Sequence, residues 1–143
     1  MSGGRRLPQG FPGSGNSKDF RSGIRSALGG VAMIDRLSGQ LERYLDLLSA
    51  RQKLVASNIA NADTPGYHTQ DIDFQSEFQS AAGGTPSVLE VAGLPMKNDG
   101  NNVSLDRESR LLAENALRFN VASSLLHSQI GSLRAAIREG QGS

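Results

Sequence analysis

The stretch Asn58-Ile59-Ala60-Asn61-Ala62-Asp63-Thr64-Pro65-Gly66-Tyr67 decides the fold, because it ends a long helical pattern in a defined turn. Pro65 fixes φ at the second position of a turn, and Gly66 can adopt the positive φ that a type II turn requires next. Thr64 precedes a proline and is therefore disfavoured in helical geometry. We predict that a helix ends near Asn61. Polar side chains around this end are expected to pair with the backbone groups that it leaves free: Asn58, Asn61, Asp63 and Thr64.

Two long segments on either side of this turn carry apolar residues at helical spacing. The first, residues 33–61, repeats them in steps of four, three and seven, which is typical of a heptad seam. The second, residues 104–143, begins at Ser104, a residue suited to cap a helix, and we expect Gly140 to end that helix. Each segment is longer than an irregular segment of forty residues can shield, so we expect neighbouring helices to cover the remaining apolar surface.

The segment between the helices, residues 62–103, is predicted to be rich in turns and loops. Asp73 is placed to cap a short helix that presents Phe74 and Phe78. Residues 87–91 alternate weakly, as a strand does, so we expect at most one short hairpin. The predicted fold class is therefore mainly α, with long N- and C-terminal helices paired as a coiled-coil-like hairpin around a short irregular or weakly β middle segment.

Residues 1–32 differ in composition from the rest of the chain. They are rich in Gly and Ser and contain Pro8 and Pro12, without sustained periodicity. Five basic residues against one acid give this segment a net charge of +4. We predict a flexible basic arm.

Composition and spacing argue against several classes of function. The chain of 143 residues has a net charge of +1, which gives no argument for a clustered basic surface that binds nucleic acid. It has no cysteine, so no cysteine-based metal site can form. His68 and His127 stand alone, and Asp71 and Asp73 lack the denser ligand ladder of a calcium loop. No serine has a matching base, and no glycine motif is suited to cradle phosphate. We therefore expect no enzyme activity, no cofactor, no metal and no membrane span.

Two separated motifs carry a family resemblance. Residues 56–67 resemble the signature that bacterial flagellar axial proteins share near their N-termini. Residues 71–74, Asp-Ile-Asp-Phe, and the stretch from Asn98 to Glu108, continuing through Leu112 to Phe119, narrow this to the proximal rod protein of the FlgB type. The resemblance covers residues 33–140, so Met33 is a candidate for the true start of the chain.

The resemblance implies a structural subunit of the flagellar basal body. Such subunits stack helically into a periplasmic rod that transmits torque, and their terminal helices form an inner coiled-coil layer. The implied partners are copies of the chain, other rod proteins, the basal-body ring at the base of the rod and the flagellar type III export gate. Export without a cleaved signal peptide is implied as well, with Phe20 and Ile24 in the Phe-x-x-x-aliphatic form of an export-gate motif.

Two sets of residues are predicted to perform this structural role. The turn motif sets the angle between the inner helix and the outer segment and consists of Asn58, Ile59, Ala60, Asn61, Thr64, Pro65, Gly66 and Tyr67. The apolar stripes are predicted to pack subunits together through Leu37, Leu41, Leu48, Val55, Ile59, Leu112, Phe119, Leu126, Ile130, Leu133 and Ile137.

A second hypothesis comes from a different class of protein. A helical hairpin in the cytosol can act as an adaptor that binds one amphipathic partner helix in a groove. Cell fractionation separates the two hypotheses, because a rod subunit travels with detergent-resistant basal bodies and an adaptor does not.

Overall fold

The computed structural model describes residues 17–80 and 83–142. Two long helices and a small two-stranded sheet make up the fold, so the predicted mainly α class is confirmed. The elements are α1 (Ser17–Ala60), β1 (Gln70–Ile72), α2 (Phe74–Gln79), β2 (Val88–Glu90) and α3 (Leu105–Gln141).

Helix α1 begins earlier than the sequence predicted. It starts at Ser17 rather than near Met33, so the flexible arm that we expected over residues 1–32 is helical from residue 17 onward. Residues 1–16 lie outside the described part of the chain. The three glycines at 23, 29 and 30 each cost about 1 kcal/mol relative to alanine. Propagating a helix that has already formed requires no new nucleus, which is why these glycines do not end it.

The chain divides into two units, Met1–Met33 and Ile34–Ser143. In the first unit, the described large apolar side chains of α1 are exposed: Ile24, Leu28, Val31 and Met33.

In the second unit, α1 and α3 pack together as an antiparallel pair. Asn58, near the end of α1, contacts Glu108 in the first turns of α3, and the earlier Gln52 contacts the later Asn115. The buried apolar residues of the described chain form a small core: Leu47, Leu48, Val55, Ala62, Ile72, Val103 and Ala122.

The middle segment contains one antiparallel pair of strands, within the expected limit of one hairpin, and α2 lies in the connection between them. Strand β2 lies within the alternating stretch 87–91, whereas β1 was not foreseen. Gln70 pairs with Glu90, and Ile72 pairs with Val88. A strand of three residues is too short for alternating apolar and polar side chains to distinguish it from a loop. Only its pairing with β2 defines β1.

Helix α2 forms where the sequence predicted it and packs on α1. Asp73 caps it, since its carboxylate accepts a hydrogen bond from the Ser76 N–H at 3.0 Å. The rings of Phe74 and Phe78 meet Tyr44 of α1 edge-on, with centroids 5.2 and 5.5 Å apart. The Arg43 guanidinium also donates to the Glu77 carbonyl at 2.6 Å. These contacts fix the short helix against the long one.

The sequence predicted the start of α3 correctly and its end too early. Ser104 is the N-cap, as predicted, and its hydroxyl accepts a hydrogen bond from the Arg107 N–H. The C-terminal end lies at Gln141 with Gly142 as cap, so the prediction that Gly140 ends the helix was wrong. Over the described ranges, no helix is long and apolar enough to cross a membrane.

Candidate functional site at the helix junction

The predicted turn forms at the end of α1. The helix stops at Ala60, and Gly66 has φ of +70°, which confirms the positive φ expected there. Part of the expected local pairing is present, since the Asn61 side chain donates to the Ser57 carbonyl at 2.9 Å. The Thr64 hydroxyl in turn donates to the Asn61 side chain at 3.2 Å.

Residues far along the chain complete the end of α1. The buried Asn101 side chain donates from Nδ2 to the carbonyls of Asn61 and Thr64, at 2.9 and 2.8 Å. Lys97 Nζ donates to the Ala62 carbonyl at 2.8 Å. These carbonyls belong to the turn that follows the last residue of α1. The second sequence motif, which starts at Asn98, therefore holds the turn in which the first motif ends the helix.

The two motifs also approach each other through their backbones. The Gly66 N–H donates to the Asp99 carbonyl at 2.9 Å, and the Asn102 N–H donates to the Tyr67 carbonyl at 3.3 Å. The Asn102 side chain accepts from the buried Thr69 N–H at 2.7 Å. We call the region formed by residues 58–71 and 97–108 the junction.

Asn58 lies at the centre of the junction and is fully buried. Its side-chain amide bonds both backbone groups of Gln70 in β1. It donates to the Gln70 carbonyl at 2.7 Å and accepts from the Gln70 N–H at 3.0 Å. Its second N–H donates to Glu108 Oε2 at 3.0 Å, and its oxygen also accepts from the Tyr67 hydroxyl at 3.2 Å. The sequence predicted that Asn58 would pair locally at the helix end. The structure instead uses it to join α1, β1 and α3.

A group of four charged residues adjoins Asn58. Arg51 of α1 holds Asp71 through two hydrogen bonds, both 2.9 Å long. Arg107 donates to Asp71 at 2.8 Å and to Glu108 at 2.5 Å. Two cations and two anions give no net charge, and every carboxylate oxygen has a partner, so the group satisfies the requirements for buried ions. We call it the charge cluster.

The charge cluster shifts two pKa values. Burial alone would raise the pKa of Asp71, but hydrogen bonds from Arg51, the Ile72 N–H and Arg107 outweigh it, so the pKa lies below its ordinary value. Burial would lower the pKa of Arg107, yet its bonds to Glu108 and Asp71 prevail and raise it. Both groups are therefore held in their charged forms.

Sequence reasoning missed the charge cluster. The sequence placed Asp71 and Glu108 in the two motifs that carry the family resemblance, but it did not predict that either would form a buried ion pair. Glu108 is fully buried, and the partners of Asp71 lie 20 and 36 positions away. A usable signal was the presence of Arg51 within the apolar repeat of α1, since a charge in that position needs a partner.

The residues predicted to pack subunits fall into two groups. Leu48 and Val55 are buried inside the protomer, with 1% of each exposed. Their part in packing subunits can only be indirect. Others are open or partly open on the surface, and for them contact between subunits stays a prediction: Leu37, Leu41, Ile59, Leu112, Phe119, Leu126, Ile130, Leu133 and Ile137.

The remaining candidates do not gather into a site. Ile24 is exposed on α1, and Phe20 lies in the same helix. The His68 ring lies 3.1 Å from Glu90 across the hairpin, while His127 contacts the Ser123 carbonyl of its own helix. In residues 17–80 and 83–142, no group of three His, Asp or Glu side chains is arranged to hold a metal ion.

Comparison with known proteins places this junction in a family. The sequence model of the family described as "Flagella basal body rod protein" matches residues 45–68, which contain the end of α1 and the turn. The flagellar basal body rod protein FlgB of Yersinia ruckeri is 31% identical over 137 residues, covering 76% of this chain and 100% of the relative. That of Salmonella typhimurium is 33% identical, covering 76% and 99%. That of Cereibacter sphaeroides is 38% identical over 112 residues, covering 66% and 88%. The chain therefore belongs to the FlgB family of flagellar basal body rod proteins, which are structural subunits.

Proposed function

We propose that this rod subunit polymerises helically, with its long helices forming the inner layer of a shaft that transmits torque. Membership of the rod family supports a place in the flagellar basal body. The distribution of apolar side chains on α3 supports the polymer, and this is the observation on which the proposal chiefly rests.

Helix α3 exposes most of its apolar residues. Within the described chain, Ala122 is the one apolar residue of this 37-residue helix that is buried. Leu117, Val121 and Leu125 are 66%, 54% and 50% exposed. Covering apolar surface is worth about 25 cal/mol per Å². A row of large exposed side chains along one helix is typical of a surface that binds other proteins.

The same side chains form one wall of an open apolar groove between α1 and α3. The groove encloses about 500 Å³, and Leu37, Leu41 and Tyr44 of α1 form its opposite wall. Phe78 of α2 closes one side. A surface of this shape is suited to take a helix, and a helix of a neighbouring subunit is the occupant that a continuous polymer requires. A head-to-tail contact of this kind extends without closing, as a tube does.

The junction supports the torque-transmitting part of the proposal. A shaft transmits torque only when its subunits resist shear. The buried bonds of Asn58 and Asn101 fix the end of α1 against both β1 and α3. Fully satisfied buried polar networks rigidify the region they occupy.

The finer details of location and partners belong to the same proposal. We propose that the subunit lies in the periplasmic rod, next to copies of itself, other rod proteins and the basal-body ring. It reaches this place through the flagellar type III export gate without a cleaved signal peptide, and Phe20 and Ile24 are the candidate contacts with the gate. No catalytic step is part of this role.

Fractionation of cells that carry a tagged chain tests the proposal. The chain is expected in detergent-resistant basal bodies, and it should disappear from them when type III export is disabled. A chain that stays in the cytosol of export-competent cells, bound to one soluble partner, would contradict the rod proposal and favour the adaptor hypothesis. Replacing Phe20 and Ile24 by alanine tests the gate contact separately, because secretion should fall while the folding of purified protein is unchanged.

A further inference from the structure

Helices α1 and α3 both carry apolar residues that repeat every seven positions. On α1 this spacing relates Leu41, Leu48 and Val55. On α3 the same spacing relates Leu112, Phe119, Leu126 and Leu133. Sliding one helix along the other by seven residues, about 10 Å at 1.5 Å per residue, places another apolar residue at each position. Apolar contact alone therefore leaves the register of the two helices ambiguous.

Two polar contacts cross between the helices and exist in one register only. Asn58 donates to Glu108 at 3.0 Å, and Asn115 approaches the Gln52 side chain at 3.5 Å. Asn58 and Glu108 are fully buried, and Asn115 is 3% exposed. The contacts are six residues apart on α1 and seven apart on α3, which agrees with a single antiparallel alignment. We call them the polar rungs.

The charge cluster depends on the same alignment. Arg107 of α3 reaches Asp71 of β1, which Arg51 of α1 also holds. A slide of about 10 Å takes Arg107 out of reach of Asp71, because an ion pair requires approach to within about 4 Å. The same slide leaves the buried Glu108 carboxylate without Asn58.

We propose that the polar rungs and the charge cluster select the register of α1 against α3. Leaving a buried charge or amide unpaired is costly, whereas exchanging one apolar contact for another costs little. Sliding is therefore penalised mainly at Asn58, Glu108 and Asn115. A single buried polar residue fixes register in coiled coils by the same physics. This selection acts within one protomer, so it holds whether or not the chain polymerises.

The register also determines the surface that the protomer presents. The apolar groove has one wall from Leu37, Leu41 and Tyr44 and the other from Leu117, Val121 and Leu125. A slide by seven residues would offset these walls by about 10 Å and change the groove's outline. Asn58, Glu108 and Asn115 are thus positioning residues for a surface that they do not touch.

Distance measurement between two spin labels tests the proposal in the full chain. The chain has no cysteine, so labels go only where cysteines are introduced. Ser49→Cys on α1 and Ser132→Cys on α3 place them at exposed positions that lie well apart along the helix pair. In this background we expect one narrow distance distribution. Adding Asn58→Leu and Glu108→Leu should produce a second population displaced by about 10 Å, with helix content retained.

Two further variants complete the test. Glu114→Leu removes an exposed ion pair with Arg118 inside α3 and should leave a single population. Glu108→Gln keeps a hydrogen-bond acceptor for Asn58, so this variant should also show a single population of distances. If the double-leucine variant keeps its helices and a single unchanged distance, the proposal is wrong. If that variant loses its helices, the variant with Gln52→Leu and Asn115→Leu is measured instead. The absence of a displaced population in this second variant would overturn the proposal.

Discussion

Asn58 uses every donor and acceptor of its side chain, and the partners belong to different elements. Two bonds go to the backbone of Gln70, one to Glu108 and one to the Tyr67 hydroxyl. An asparagine has two N–H donors and one oxygen with two lone pairs, which matches this set. Aspartate has nearly the same shape but no donor, so replacing Asn58 by Asp isolates the hydrogen-bonding chemistry from the packing.

Asn58→Asp should destabilise the chain by about 2–4 kcal/mol at pH 7, because it sets two buried carboxylates against each other. Urea unfolding at pH 7 measures this. The matched control is Asn120→Asp on the exposed surface of α3, expected to change stability by less than about 0.5 kcal/mol. Equal effects of the two substitutions would contradict the central position of Asn58.

Gly66 is the residue whose backbone the turn constrains most clearly. Its φ of +70° is disfavoured for a β-branched side chain, so Gly66→Val should cost about 1–3 kcal/mol. Gly66→Asn should cost less, since asparagine tolerates this conformation. Unfolding measurements rank the two variants. Motility should fall for Gly66→Val while secretion continues, and full motility with unchanged stability would show that the turn is not constrained.

The charge cluster links α1, β1 and α3 through Asp71. With Arg51 on one side and Arg107 on the other, Asp71 has a lowered pKa. A group whose pKa is lower in the folded state than in the unfolded chain stabilises the fold above its unfolded pKa. That contribution disappears as the pH falls through the folded value. The connection between the three elements should therefore weaken only in acid.

Asp71→Asn should destabilise the chain by about 2–4 kcal/mol at pH 7, because it leaves Arg51 and Arg107 facing a neutral group. The difference between wild type and variant should narrow below about pH 4, where the unfolded aspartate begins to bind protons. Urea unfolding from pH 2 to pH 7 measures the difference. A difference that stays constant over this range would show that the charge of Asp71 is not the cause.

How far the sequence predicted these elements depended on how local their signals are. Ser104 and Asp73 were correctly identified as caps because each bonds a residue three positions away. Gly66 was identified from the proline before it. Asp71 and Asn101 were not identified, because their partners are 20 to 40 positions distant and only folding brings them close. The early start of α1 was missed for another reason, since its glycines suggested a flexible arm and helix propagation overrode them.

The protomer buries its polar junction better than its apolar stripes. Asn58, Asn101 and Glu108 are fully buried, whereas large apolar side chains such as Leu117 and Ile137 remain more than half exposed. The junction end of the monomer is therefore well packed, whereas the rest of α3 exposes apolar side chains that have no cover in the monomer. Stability should therefore be uneven along α3.

Hydrogen exchange of the isolated chain should show this unevenness. Amides of residues 105–122 should be protected, because this part of α3 contains its buried residues Glu108, Asn115 and Ala122. Amides of residues 123–141 should exchange much faster, since few contacts oppose local opening. Assembly should protect both parts. Equal protection throughout α3 in the monomer would show that it needs no neighbours.

Leu117→Asp separates assembly from folding. Leu117 is 66% exposed, so the substitution should change the stability of the protomer by less than about 0.5 kcal/mol. In the proposed polymer the same carboxylate would be buried without a partner, at a cost of several kcal/mol. Motility should be lost with Leu117→Asp and retained with the control Ser128→Asp, which lies at an exposed position of α3. Retained motility in both would remove this face from the interface.

The hydrogen bonds from Lys97 and Asn101 to the turn after α1 have a consequence for the order in which the chain folds. A chain that emerges from a channel N-terminus first presents residues 17–60 well before it presents residue 97. Until then the Ala62 carbonyl lacks the Lys97 donor, and the carbonyls of Asn61 and Thr64 lack the Asn101 side chain and have only the nearby N–H groups of Thr64 and Tyr67. Contacts this far apart in sequence form late, because a long loop must close first. If the chain is exported in this direction, as proposed, the turn after α1 gains its last hydrogen bonds only when residues 97–101 have arrived.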